Sequence, residues 1–279
     1  MILELGSHRI DCTNRTAVMA ILNVSVDSPV ASSIVPPEAA LDRALAMREA
    51  GAEIIDVGAH STRTGAVSLT TAEEVARVVP AVESIAGAGL PVSIDTWNPE
   101  VARAAVEAGA VLLNDVTGAS DPAMAALAVE TRTSLCVMHM RGAPQHHGEA
   151  DQTYADVGVE VRSYLEERAA ALDALGAPEV WLDPGFGFGK SAADNARLLD
   201  ALPALIALGR PVLVSASRKG FLAQLMGLPY SQQAPGLLEA TVAFNALAAW
   251  LGVHVVRVHD VAEVSAAIRV VNAVRAGRA

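Results

Sequence analysis

Lysine is nearly missing from this chain of 279 residues: its 20 basic side chains are 18 arginines and two lysines, Lys190 and Lys219. An ammonium is a compact point charge and a guanidinium a planar fork, so the two lysines single out positions worth examining. Cysteine is almost as scarce. Cys12 and Cys136 lie far apart with no C-x-x-C spacing, which excludes a disulfide framework and a zinc site and makes both candidates for buried apolar positions. Ten aromatic residues and a formal charge of -11 exclude a nucleic-acid binder, which needs clustered positive charge and stacking surfaces. No apolar run of about 18 residues escapes polar interruption. The best stretch, 241–256, is broken by Asn245, Gly252 and His254, so the mean hydropathy of +0.36 reflects alanine and valine rather than a membrane span. Met1-Ile2-Leu3-Glu4-Leu5 has neither the basic start nor the apolar core of a signal peptide, and a cytoplasmic protein is expected. With 52% hydrophobic residues the chain is not disordered.

What is present is a regular alternation. Residues 1–13 read as a β-hairpin with Gly6-Ser7 as its turn. Eight short apolar runs follow, at 17–22, 53–57, 91–94, 111–113, 134–138, 180–182, 211–214 and 253–258, each of the kind that forms a buried parallel strand. Helical spacing fills the intervals at 37–50, 71–85, 98–108, 154–175, 237–251 and 261–274. Gly51, Gly109 and Gly252 stand where a left-handed C-cap would end a helix before the next strand. Eight strand–helix units without a linker predict an α/β fold, a single (β/α)8 TIM barrel with an N-terminal β-hairpin, as one domain over 1–279. A doubly wound sheet is disfavoured, because no G-x-G-x-x-G turn follows the first strand.

In such a barrel the site forms at the C-terminal ends of the strands. The runs are followed in turn by Asn23, by Asp56 with His60 through Arg63, by Asp95, Asn114-Asp115, His139, Asp183, Ser217-Arg218-Lys219 and Arg257-Val258-His259-Asp260. Two sets separate by chemistry. Arg257 and His259, beside a helix N-terminus near Val261 and opposite Ser61-Thr62-Arg63, form a cationic, hydroxyl-rich corner suited to phosphate or diphosphate. Asp95, Asn114 and Asp183 suit a flat heterocycle carrying N–H donors and a carbonyl, to which Lys219 could donate.

Other features carry less. Pro184-Gly185-Phe186-Gly187-Phe188-Gly189-Lys190-Ser191 has the outline of a P-loop but lacks the first glycine. Asn23-Val24-Ser25 is a glycosylation sequon without consequence unless the chain is secreted. His146-His147 read as solvated loop residues, and Phe244 and Trp250 as core residues at helical spacing.

The ordered strings Ile21-Leu22-Asn23-Val24, Ser93-Ile94-Asp95-Thr96, Leu113-Asn114-Asp115-Val116, Met138-His139-Met140, Asp183-Pro184-Gly185-Phe186-Gly187-Phe188-Gly189-Lys190, Ser217-Arg218-Lys219 and Arg257-Val258-His259-Asp260 resemble the dihydropteroate synthase family over essentially the whole chain. The resemblance implies a transferase of alkyl groups other than methyl. It would join 6-hydroxymethyl-7,8-dihydropterin diphosphate to p-aminobenzoate in folate biosynthesis and expel diphosphate. It further implies that Asp95, Asn114, Asp183 and Lys219 hold the pterin, Asp95, Asp183 and Lys219 as the catalytic residues, with Met138 and Phe188 packed near it. Thr62 and Ser217 would bind the substrate, Arg63, Arg257 and His259 would hold its diphosphate, Asn23 would help bind Mg2+, and a homodimer is expected.

The departures are concentrated. The family's first loop, N-V-T-P-D-S-F-S-D-G-G, is replaced by Asn23-Val24-Ser25-Val26-Asp27-Ser28-Pro29-Val30-Ala31-Ser32-Ser33. The second, E-S-T-R-P-G, reads His60-Ser61-Thr62-Arg63-Thr64-Gly65, and Ser215 replaces a glycine ahead of the seventh loop. In the family these first two loops close over the diphosphate and shape the arylamine pocket. The pterin half is thus intact and the amine half altered, which leaves open a paralogue using another amine with the same donor, or a pterin-binding protein without turnover.

Overall fold

The computed structural model describes residues 1–24, 35–59, 69–146, 149, 151–231 and 234–277. An antiparallel hairpin of β1 (Ile2–Leu5) and β2 (His8–Asp11) comes first. Eight parallel strands follow: β3 (Ala17–Asn23), β4 (Ile54–Gly58), β5 (Val92–Asp95), β6 (Leu112–Asp115), β7 (Ser134–Met138), β8 (Val180–Asp183), β9 (Leu213–Ser215) and β10 (Val255–Val258). Their order is β8-β7-β6-β5-β4-β3-β10-β9. A parallel bridge between Leu182 and Val212, with the Leu182 N–H donating to Pro211 O at 2.8 Å, brings β8 to β9 and closes the ring. The expected (β/α)8 barrel and its leading hairpin are both present.

The helices between the strands are α1 (Ala40–Glu49), α2 (Thr71–Gly87), α3 (Pro99–Glu107), α4 (Pro122–Thr131), α5 (Val157–Leu175), α6 (Ala192–Asp200), α7 (Leu202–Ile206), α8 (Gly220–Leu225), α9 (Leu237–Trp250) and α10 (Val261–Ala276). Their starts are chemically specified: Asn98, Asp121 and Asp156 cap α3, α4 and α5, while Thr70 with Glu73 and Ser191 with Asp194 make reciprocal capping boxes on α2 and α6. Gly51, Gly109 and Gly252 have φ of 113°, 112° and 102°, the left-handed turns expected at those helix ends.

Alternation along each strand divides the core in two. Outward residues such as Val18, Ala20, Ile55, Val57, Val137 and Leu182 pack under the helices. Inward residues Met19, Ile54, Leu112, Cys136, Trp181, Leu213 and Val255 fill the lower barrel, and the hairpin plugs that end with Leu3, Leu5, Ile10 and Cys12. Both cysteines are free and buried, as the sequence suggested. Burying Leu3 and Leu5, each 0% exposed, is worth about 1.5–3 kcal/mol apiece. The next inward positions up the same strands are Asp56, Asn114, Met138, Asp183, Ser215 and Arg257, so a dry floor lies directly beneath a polar layer.

Two expectations are corrected. Asn23, Asp56, Asp95, Asn114, Asp115, Asp183 and Arg257 lie within their strands, not after them, because ladder hydrogen bonds use the backbone and continue through polar residues. Phe244 is a core residue, in edge-on contact with Phe186 and Phe221, but Trp250 is 41% exposed on the outer face of α9. Among the described residues no helix is long and apolar enough to cross a membrane.

Candidate active site

The polar layer is organised around Arg257, whose strand β10 sits between β3 and β9. Its Nε donates to Asp56 Oδ2 at 2.5 Å and its Nη2 to Asp95 Oδ2 at 2.5 Å. Asn114 Nδ2 also donates to Asp56 Oδ2, at 3.2 Å. Parallel register places Asp95 beside Asn114 on one side and Gly58 on the other, and Met138 beside Asp183. A side chain at Gly58 would bring its Cβ within 3.3 Å of Asp95 Cβ. Among the described residues the second oxygens of Asp56 and Asp95, both Oδ1, are buried and unpartnered. Burial pushes the Asp95 carboxyl up to about 7 against the pull of Arg257, with the Asp56 charge adding to the rise. The same two carboxylates hold the guanidinium far into its charged form despite burial.

Opposite stands the second half of the layer. Asp183 Oδ1 accepts the Gly185 N–H at 2.7 Å, and burial raises its carboxyl while Lys219 opposes the shift. Lys219 Nζ donates to Phe186 O at 2.6 Å and lies 4.3 Å from the centroid of the Phe188 ring. Burial lowers its ammonium to about 8, with Asp183 pulling the other way. At the rim, Ser217 Oγ lies 2.9 Å from His259 Nδ1 and accepts the His259 backbone N–H at 3.0 Å. Arg218 forks onto Asp260 at 2.8 and 2.7 Å, just ahead of α10. That engagement takes the Asp260 carboxylate away from capping α10, whose first turn has no side-chain cap.

The arrangement brings acceptors, an amide and an ammonium to one end of the barrel, a donor–acceptor set matched to a flat heterocycle. Residues 19–259 match the family described as pterin binding enzyme. The dihydropteroate synthase of Escherichia coli K12 is 41% identical over 92% of this chain and 90% of its own length. The barrel also resembles the Thermus thermophilus dihydropteroate synthase solved with 4-aminobenzoate, with a TM-score of 0.87, 38% identity and coverage of 98% and 99% of the two chains. The Xanthomonas albilineans enzyme solved with 7,8-dihydropteroate gives a TM-score of 0.85 at 36% identity, covering 99% of each chain. This chain belongs to the dihydropteroate synthase family.

Measured against the family motifs, the structure brings Asp95, Asn114, Met138, Asp183, Phe188, Ser217, Lys219, Arg257 and His259 to the same end of the barrel, and Asn23 ends β3 beside Gly58. Thr62, Arg63, His60, Ser61 and the altered segment 25–33 lie outside the described residues. The expected separation into an anion corner and a heterocycle set does not hold, because Arg257 is paired with Asp56 and Asp95 in the middle of the acceptor group. Nor is His259 a cation: burial, with Arg257, Arg218 and Lys219 around it, lowers its ring to about 3. It stands as a neutral donor–acceptor. Asp115 is absorbed by its own loop, accepting Thr117 N, Thr117 Oγ1 and Ala119 N. Asp56 stands among the strand-end residues but belongs to neither chemical set drawn from the sequence, although a carboxylate inside an otherwise apolar strand, in phase with Asn114 and Asp183, is the signal for it.

Proposed function

We propose that this chain catalyses the dihydropteroate synthase reaction of folate biosynthesis, with Asp95, Asn114, Asp183 and Lys219 holding the pterin. In that reaction the C–O bond to diphosphate breaks, a C–N bond to the arylamine forms, and the amine loses a proton. The observation that carries the reading is the buried pair of unsatisfied oxygens, Asp56 Oδ1 and Asp95 Oδ1. An orphaned buried acceptor costs about 1–3 kcal/mol, a cost that ligand N–H groups would relieve. In this reading Lys219 donates to a ring carbonyl, and Met138 and Phe188 pack on the ring. Carboxylates around the heterocycle stabilise positive charge that develops as the leaving group departs.

In this reading Ser217 and His259 face the leaving group, a neutral His259 donating one N–H, while Arg257 keeps its charge between the acceptor group and the diphosphate. The family implies Mg2+, and the chain offers Asn23, whose amide oxygen at the end of β3 suits a hard cation. Among the described residues no group of three or more His, Cys, Asp or Glu side chains is arranged to hold a metal ion. Bound at Asn23, Mg2+ would neutralise charge on the departing diphosphate.

The chain is read as one domain over 1–279, cytoplasmic, and as a homodimer. Support for self-association comes from Leu247 and Trp250 on α9 and Val270 and Val274 on the neighbouring α10, which are 52%, 41%, 64% and 46% exposed. Diphosphate release from the pterin diphosphate, measured with and without p-aminobenzoate, tests the activity. Release that requires the amine is expected, and none with any arylamine would overturn the assignment.

A further inference from the structure

Lys219 has a place in the proposed reaction, but Lys190 ends the P-loop look-alike and has none. Its side chain folds inward and is 6% exposed. Nζ donates to Gly185 O at 2.9 Å, Phe188 O at 3.1 Å and His139 O at 3.3 Å. An ammonium has three N–H donors, so three carbonyls saturate it, and the flat fork of arginine does not match their convergence.

The segment between Asp183 and Ser191 needs such a tie. Gly185, Gly187 and Gly189 are left-handed at φ of 69°, 78° and 58°, a stretch with high conformational entropy when unrestrained. It is also pressed against its neighbours: a Cβ on Gly185 would lie 2.0 Å from His139 O, and one on Gly187 would lie 2.9 Å from Lys219 Cδ. Asn195, fully buried, accepts the Gly187 N–H at 2.7 Å and donates to Lys190 O at 3.2 Å. Phe188 joins the two lysines, its carbonyl bound by Lys190 and its ring facing Lys219. Phe186, two residues earlier, supplies the carbonyl that Lys219 binds.

We propose that Lys190 is a positioning residue for Lys219: its buried ammonium holds the glycine-rich loop in the shape that sets the Phe186 carbonyl and the Phe188 ring against Lys219 Nζ. The functional consequence rests on the reading that Lys219 holds the pterin. Burial lowers Lys190 to about 7, with Asp183 opposing and the Lys219 charge adding to the fall, so the three-carbonyl clamp works against the cost of burying an ammonium.

Because the chain has two lysines, 13Cε,15Nζ-lysine labelling gives two NMR signals, and Lys190→Met assigns them. In that variant the Lys219 signal should shift and its titration midpoint should rise from about 8 towards 10.5 as the loosened loop lets water reach the ammonium, burial being the main cause of its depression. Binding of 6-hydroxymethylpterin should weaken by about tenfold, yet change by less than about twofold when Lys190→Met is added to Lys219→Met, since residues acting through one contact are not additive. Lys190→Gln, which retains two donors, and Phe188→Leu, which leaves the clamp and removes the ring, serve as further variants; each should move the Lys219 signal. A Lys219 signal unmoved in the folded variants, or fully additive binding losses, would overturn the proposal. The ligand-free NMR arm stands apart from the function, so a parent protein that binds no pterin sinks the proposed reaction and leaves the positioning test decisive.

Discussion

Arg257 reaches across the barrel mouth to Asp95, its Nη2 2.5 Å from Oδ2, although 162 positions separate them in the chain. The contact ties β10 to β5, and through Asp56 to β4 between them, so one guanidinium fixes three strand ends. Removing one member of a buried ion pair leaves the partner charge desolvated, typically at about 3–5 kcal/mol. Arg257→Ala should therefore lower unfolding stability by that order, measured by urea denaturation, while Asp95→Asn should cost less because Arg257 retains Asp56. If Arg257→Ala is as stable as the parent, the pairing is not a structural element in solution.

The same contact modifies what Arg257→Ala does to binding. With Asp56 and Asp95 released, the acceptor group loses its arrangement as well as a cation. Calorimetry should then show losses for both hydroxymethylpterin and its diphosphate, larger by about tenfold or more for the diphosphate, with Mg2+ removal affecting only the latter. Equal losses for both ligands would remove Arg257 from the leaving-group side.

Asp183 provides a cleaner test of the pterin pocket. Asp183→Asn keeps the size and an oxygen for Gly185 N–H but deletes the charge. A charge-assisted hydrogen bond is worth about 1.5–3 kcal/mol, so affinity for a pterin analogue should fall roughly 10–150-fold. Unchanged affinity would place the pterin elsewhere.

Much of this site was legible in the sequence because strand ends in a barrel converge on one face whatever their separation in the chain. That Asp95, Asn114, Asp183 and Lys219 come to one end of the barrel needs only that rule. The pairing of Arg257 with Asp56 and Asp95 did not follow from it, because which inward side chains meet depends on strand register, and two equal cationic and acidic sets can be drawn from the same list. Trp250 was misplaced for a related reason: α9 is apolar on most of its circumference, so spacing alone does not say which flank is covered. Four helices, α4, α6, α7 and α8, fall outside the helical intervals read from spacing: α6 to α8 are short, and the alanine-rich run of α4 lacks periodicity, although Asp121 and Pro122 signal its start.

Acid should weaken the fold through buried histidines. His139, His254 and His259 are lowered to about 3, 4 and 3, in each case first by burial. His254 Nδ1 accepts the Val212 N–H at 3.0 Å, which a protonated ring could not do. A folded pKa below the unfolded value means that unfolding takes up protons, so this stability is full above pH 6.5 and is lost as pH falls towards the folded values. His254 alone should account for about 1–2 kcal/mol between pH 7 and pH 5. The prediction is checked by urea unfolding of parent and His254→Gln at both pH values. An equal pH slope for the two proteins would refute it.

The remaining prediction concerns the amine. Where the family has an aromatic residue and an aspartate in the first loop, this chain has Pro29 and Ala31. A ring that could pack on the arylamine and an acid that could order the closed loop are therefore missing, and Pro29 fixes its own φ while biasing Ser28 towards extended geometry. The residues proposed to hold the pterin are untouched by these changes. The expected result is near-normal pterin affinity with poor use of p-aminobenzoate, kcat/KM lower by roughly 10–1,000-fold than in relatives that keep the loop, equivalent to about 1.4–4 kcal/mol of transition-state stabilisation. Steady-state kinetics against a panel of arylamines separates the outcomes. Efficient turnover of p-aminobenzoate would show that the loop tolerates replacement, whereas slow turnover rescued by a different amine would assign the altered loop to substrate choice.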